Sequence, residues 1–259
     1  MIRVHMIWFT GDLPAVKKFC GLKGHNAKRL CRYCNIEGVW SASNLDYYFP
    51  SALRHSGRRI ILFDLSPLPQ RSVSETVLAI EKLRLLEGKR KSDMQRATGI
   101  NENSILFSLP NILPYTSFPI DIIHLFYNIG KDRLRLWLTP GKPYSLTTLS
   151  VKEIVEELMR FRGGVPSQMA SRPRPLSKFF EWKSAEFKSF ILSYSLIVLD
   201  GHLPHTFLSG WRMFIQLVDI CWRPTLKKRD VERFQNLAFG FYRHFEQQYF
   251  REDPETIKL

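Results

Sequence analysis

The stretch Ser72-Val-Ser-Glu-Thr-Val-Leu-Ala-Ile-Glu-Lys-Leu-Arg-Leu-Leu-Glu-Gly88 sets the class of this fold. Val73, Val77, Ile80, Leu83 and Leu86 recur at steps of three and four, which puts them on one face of an α-helix; a strand would alternate. Ser72 or Ser74 is suited to cap the start, and Gly88 marks the end. The run Lys89-Arg90-Lys91 beyond it reads as a solvated helix end rather than a phosphate site.

The helical period dominates the chain downstream. Ile122–Leu138, Val151–Phe161, Ser184–Leu199, Phe207–Cys221 and Asp230–Phe250 all carry it. Ser150, three residues before Glu153, offers a capping box. The linker Arg162–Leu176, with Gly163-Gly164 and Pro166, Pro173 and Pro175, is expected to divide this helical part in two. Upstream, Ile2–Phe9 suits a strand, Thr10–Pro14 a turn, and Leu13–Cys20 a helix closed by Gly21. Loops are expected around Trp40 and Tyr47-Tyr48, and a second short strand over Ile105–Leu109. The expected class is therefore α+β, predominantly helical, with residues 1–120 and 121–259 as two regions.

Lys and Arg number 38 against 24 Asp and Glu, a net charge of +14, which favours an anionic partner such as DNA through release of its counterions. No run of about 20 apolar residues exists to span a membrane. The longest candidate, Phe187–Leu199, is interrupted by Lys188, Ser189, Ser193, Tyr194 and Ser195. The opening residues lack the pattern of a secretory signal, and four cysteines are too few for a disulfide scaffold of this size, so a reducing compartment is expected. A G-x-S-x-G elbow, a P-loop, a dinucleotide fingerprint and H-E-x-x-H are all absent, which sets those enzyme classes aside.

Four features could carry chemistry. Asp12 follows a strand and precedes a helix, where a carboxylate can bind a divalent cation or simply cap the helix. Cys31-x-x-Cys34 supplies two thiolates for a tetrahedral Zn²⁺; His25 and Cys20 could complete the set, and so could a distant segment. Asp121-x-x-His124 opens a helix, which by itself suits a cap followed by a packed histidine. Trp8, Trp40, Trp137, Trp182, Trp211 and Trp222 fall mostly on helical faces and read as core rather than base-stacking platforms.

Gly11-Asp-Leu-Pro-Ala15, Gly21-Leu-Lys-Gly-His25, Cys31-Arg-Tyr-Cys34 and Asp121-Ile-Ile-His-Leu-Phe126, in this order, resemble the central blocks of fungal CACTA-type DNA transposases and their plant En/Spm-like relatives. The later stretches Lys183–Leu199 and Phe234–Tyr249 resemble the family as well. The resemblance implies a partial RNase H-like core over residues 1–120 and a helical insertion over 121–259. It also implies a nuclear location and a site where three acids hold two Mg²⁺ ions for strand cleavage and transfer.

Asp12 falls at the family's second acid, and Asp121 and His124 at its D-x-x-H signature. The family's first acid lies well upstream of its second and its third lies beyond Leu259, so the chain is expected to be an internal piece, inactive alone, with DNA binding remaining. Other readings are a zinc-containing DNA- or protein-binding module retained by the host, or an enzyme completed in trans by a partner such as a second copy.

Overall fold

The computed structural model describes residues 8, 10–24, 26–42, 45–56, 58–109, 112, 117–165 and 171–251. Apart from Trp8, the strand expected over Ile2–Phe9 lies outside them, as does His25. The fold is α+β and mainly helical, and it forms two compact units: Met1–Asp121 with Phe250–Lys258, and Ile122–Tyr249 with Leu259. None of the described helices is long and apolar enough to cross a membrane.

The first unit opens with α1 (Leu13–Phe19). Asp12 caps it, its Oδ1 accepting the Ala15 N–H at 2.8 Å. Gly21, at φ +64°, then turns the chain away. The region around Trp40 and Tyr47-Tyr48, expected as loop, holds an antiparallel ladder of β1 (Val39–Ser41) with β2 (Asp46–Tyr48), and a second ladder of β3 (Ala52–His55) with β4 (Arg58–Ile61) follows it. Trp40 and Tyr47 face each other across the first, ring centroids 5.0 Å apart and edge to face, a cross-strand pairing that favours the ladder.

Helix α2 (Val73–Arg84) is capped by Ser72, which accepts the Glu75 N–H. Its buried face is Thr76, Ala79, Ile80 and Leu83, whereas Val73 and Val77 stay about half exposed, so the apolar stripe sits rotated from the one read in the sequence. That face joins Val16, Cys20, Leu22, Ile100 and Phe118 in the unit's core. Gly88 does not close the run: at φ +55° it bends the chain into α3 (Gly88–Thr98), whose first turn carries Lys89, Arg90 and Lys91. Ile105–Ser108 is a 3₁₀ turn instead of a strand. Ser104 imposes the turn by accepting the Leu106 N–H and donating its hydroxyl to the Phe19 carbonyl.

The second unit comprises α4 (Ile122–Leu138), α5 (Thr148–Gly164), a 3₁₀ turn (Leu176–Glu181), α6 (Ser184–Ser189), a π-turn (Phe190–Tyr194), α7 (Ser195–Leu199), α8 (His205–Cys221) and α9 (Lys228–Phe245). Thr147, not Ser150, caps α5: its Oγ1 accepts the Ser150 N–H at 3.0 Å. Helix α5 runs through Gly163-Gly164, and the unit is not divided at the linker. Trp137 and Trp211 are fully buried, 5.0 Å apart and edge to face, and each indole N–H has an acceptor: Tyr249 Oη for Trp137 and Ser195 Oγ for Trp211, both at 2.9 Å. Trp182 is also buried; Trp8 and Trp40 are exposed.

Candidate metal centre

The segment carrying Cys31 and Cys34 is held on both sides by backbone. Asn35 N–H donates to Pro69 O at 2.7 Å and Arg71 N–H to Tyr33 O at 3.0 Å, an antiparallel bridge centred on Cys34 and Gln70. The buried Arg71 side chain adds a three-way clamp. Its Nε donates to Cys31 O at 3.1 Å, Nη1 to Thr98 O at 3.1 Å and Nη2 to Arg29 O at 3.0 Å, tying the thiol loop to the end of α3. Tyr33 points its hydroxyl at Phe118 O, 2.7 Å away, and Arg32 donates to that hydroxyl at 2.8 Å while lying over the ring.

This scaffold brings the two sulfurs into hydrogen-bond contact. The Cys34 thiol donates to Cys31, which lowers the Cys31 pKa to about 6 against the opposing effect of burial; the Tyr33 and Cys34 N–H groups and the Arg71 charge assist. The same bond, followed by burial and the Cys31 charge, pushes Cys34 far upward. The pair thus shares one proton, with the charge on Cys31 and the proton on Cys34. Lys17 lies buried beside them, its pKa lowered by burial while the Cys31 charge opposes the shift.

In the metal-free chain, Cys31 alkylation by iodoacetamide is expected to switch on with a midpoint near pH 6, since only the thiolate reacts. Removing the donor in Cys34→Ala should move that midpoint up toward the ordinary thiol range. Mass-spectrometric rates from pH 5 to 9 decide this, and an unchanged midpoint in the variant would show that the Cys34 thiol does not hold the charge.

Two thiolates provide half of a tetrahedral zinc shell. Among the described residues, no group of three His, Cys, Asp or Glu side chains converges. Cys20 is buried at the end of α1, and burial raises its thiol to about 11 against the opposing charge of Arg32. His25, the other local donor read in the sequence, lies outside the described residues.

Asp12 is exposed and serves as the α1 cap. Asp121 ends the first unit, and His124 lies exposed in the first turn of α4 in the second. The clamp residue Arg71 was not marked by any motif; only contacts some 27 to 42 residues away in sequence define its role. Family models, characterised proteins and solved structures include no match to this chain.

Proposed function

We propose that this chain is a DNA-binding protein derived from a CACTA-type transposase with an RNase H-like ancestry. In this reading Cys31 and Cys34 provide two ligands of a structural Zn²⁺ site, and the chain acts in the nucleus without cleaving DNA by itself. The observation that carries the reading is the convergence of the two CxxC sulfurs, with Cys31 charged and Cys34 protonated near neutral pH, in a loop clamped by Arg71. Such a pair fits the donor chemistry of zinc, and His25 or a residue from a distant segment would complete the shell. Bound zinc would add a cross-link holding the loop 29–38 closed.

The net charge of +14 supports DNA as the partner. Cleavage by two metal ions takes several carboxylates, and Asp12 is the one residue here matched to the family's acids. Activity would therefore need acids from another chain or segment, together with Mg²⁺.

The test uses the full chain stripped of metal. Added Zn²⁺ should bind at one equivalent and raise the thermal transition, and Cys31→Ser should abolish both effects. Affinity for a fluorescent DNA duplex should fall linearly on a log–log plot against salt. Zinc uptake unaltered by Cys31→Ser would dismiss this metal site, and affinity independent of salt would dismiss phosphate-driven DNA binding.

A further inference from the structure

Between Ser51 and Phe63 the chain carries Arg54, His55, Arg58 and Arg59 and no aspartate or glutamate. The register of β3 with β4 sets these residues directly against one another: Arg54 pairs with Arg59, and His55 with Arg58. Like charges directly opposite one another weaken a ladder, so the Arg54–Arg59 pairing works against the hairpin rather than for it. Successive side chains alternate between the two faces of a strand, which puts Arg54 and Arg59 on one face and His55 and Arg58 on the other.

The hairpin is anchored only at its root. Ala52 is buried there, and the Leu62 N–H donates to Ser51 O at 2.8 Å. Towards the tip Arg54 and His55 are exposed, and so is every residue of β4, including Ile60 and Ile61 on opposite faces. The side chains of His55 and Arg58 make no hydrogen bond or ion pair among the described residues. The result is an arm with both faces open to solvent and an arginine on each, in a register that its own stability does not explain.

We infer that the β3–β4 hairpin is an arm that enters a groove of duplex DNA, with Arg58 and Arg59 on phosphates of the two flanking backbones. The inference rests on the DNA-binding reading above and places that binding on one element. The major groove of B-DNA, about 12 Å wide, admits a two-stranded ribbon. A ribbon entering tip-first has a phosphate backbone on each side, and the register supplies a guanidinium to each, a group that binds phosphate oxygens in a bidentate fork. A flat anionic surface such as a lipid headgroup layer would meet one face of the arm and leave the arginine of the other in water.

The experiment measures affinity of the full chain for a fluorescent DNA duplex against salt, in the parent and three variants. Arg58→Gln/Arg59→Gln removes both contacts, so affinity should fall on the order of tenfold near 0.1 M salt and the log–log slope should shrink by about 2. Arg58→Lys/Arg59→Lys keeps the charges and should restore the parent slope. Lys89→Gln/Arg90→Gln removes two equally exposed cations from α3 and should leave the slope within about half a unit of the parent's. A parent slope retained in the Gln arm variant, an equal loss in the α3 variant, or no rescue by Lys overturns the arm while leaving DNA binding in place. A parent chain without salt-dependent affinity for the duplex overturns the DNA reading and the arm together. Vesicles of phosphatidylglycerol are sedimented with the same proteins, and arm-dependent binding to them without arm-dependent binding to the duplex overturns the proposal in favour of a lipid surface.

Discussion

Gly99→Ala is expected to destabilise the first unit by about 3 kcal/mol or more, among the largest losses that any single methyl group should cause in this chain. Gly99 ends α3 at φ +72°, a left-handed conformation that costs an L-residue about 1–2 kcal/mol. The second contribution is steric. A Cβ there would lie closer than 3.0 Å to the Arg29 carbonyl oxygen and 3.2 Å from Arg71 Nη2, so the methyl group enters the clamp that holds the thiol loop. Neither neighbour can yield cheaply, because Arg71 Nη2 donates its hydrogen bond to that same oxygen.

Gly88→Ala separates the two contributions: its φ is +55° but its Cβ would meet nothing within 4 Å, so about 1 kcal/mol is expected. Gly24→Ala, with open space and no left-handed φ, should be nearly neutral. Urea unfolding of the three variants, with hydrogen exchange followed in peptides covering 96–102, measures the series. Equal losses at Gly88 and Gly99 would remove the steric part and with it the tightness claimed for the Arg71 clamp.

How much of this was legible in the sequence depends on which interaction decides each element. Helices α4 and α8 each bury one face, so the 3.6-residue period alone located them, α4 at both ends. Helix α3 buries no residue, so it left no stripe to read; its start is set by the turn at Gly88 and its end by the left-handed Gly99. The strands β1 to β4 are three or four residues long, partly buried or, in β4, fully exposed, and too short for an alternating pattern, although Ser56-Gly57 between Ala52–His55 and Arg58–Ile61 was a usable turn signal. The rotation of the α2 stripe came from tertiary packing: the core receives the face of Thr76, Ala79, Ile80 and Leu83, and Thr76 is tolerated there because its hydroxyl donates to the Ser72 carbonyl.

At the candidate metal centre the same division holds. Cys31 and Cys34 were legible because ligand spacing is a local property. Their charge state was not, since it depends on the hydrogen bond between the two thiols, on burial and on the charge of Arg71, whose three acceptors are remote in the chain.

Arg133→Met is expected to stabilise the second unit by about 1–3 kcal/mol, whereas Arg133→Ala should destabilise it by about 2–4 kcal/mol. Arg133 is buried in α4 with Nε and Nη1 unpartnered among the described residues, and the nearest carboxylate in sequence, Asp132, pairs with Arg135 at 3.2 Å. Burial lowers its pKa to about 10, with the Tyr249, Asp132 and Tyr144 side chains opposing. In place of an anion it has aromatic faces: its guanidinium carbon lies 5.5, 4.1 and 4.5 Å from the ring centroids of Phe241, Phe245 and Tyr249.

Cation–π attraction of about 2 kcal/mol at a desolvated ring offsets part of the several kcal/mol needed to bury a guanidinium, and two unpaired N–H groups add roughly 1–3 kcal/mol each. Methionine keeps the aliphatic length and makes favourable sulfur contacts with the same rings without any buried donor. Alanine leaves a void among three rings that cannot close over it. The opposite signs are the diagnostic, read from urea midpoints at constant slope. If Met destabilises as strongly as Ala, the aromatic cage outweighs desolvation, and Arg133 is a structural cation that the second unit needs.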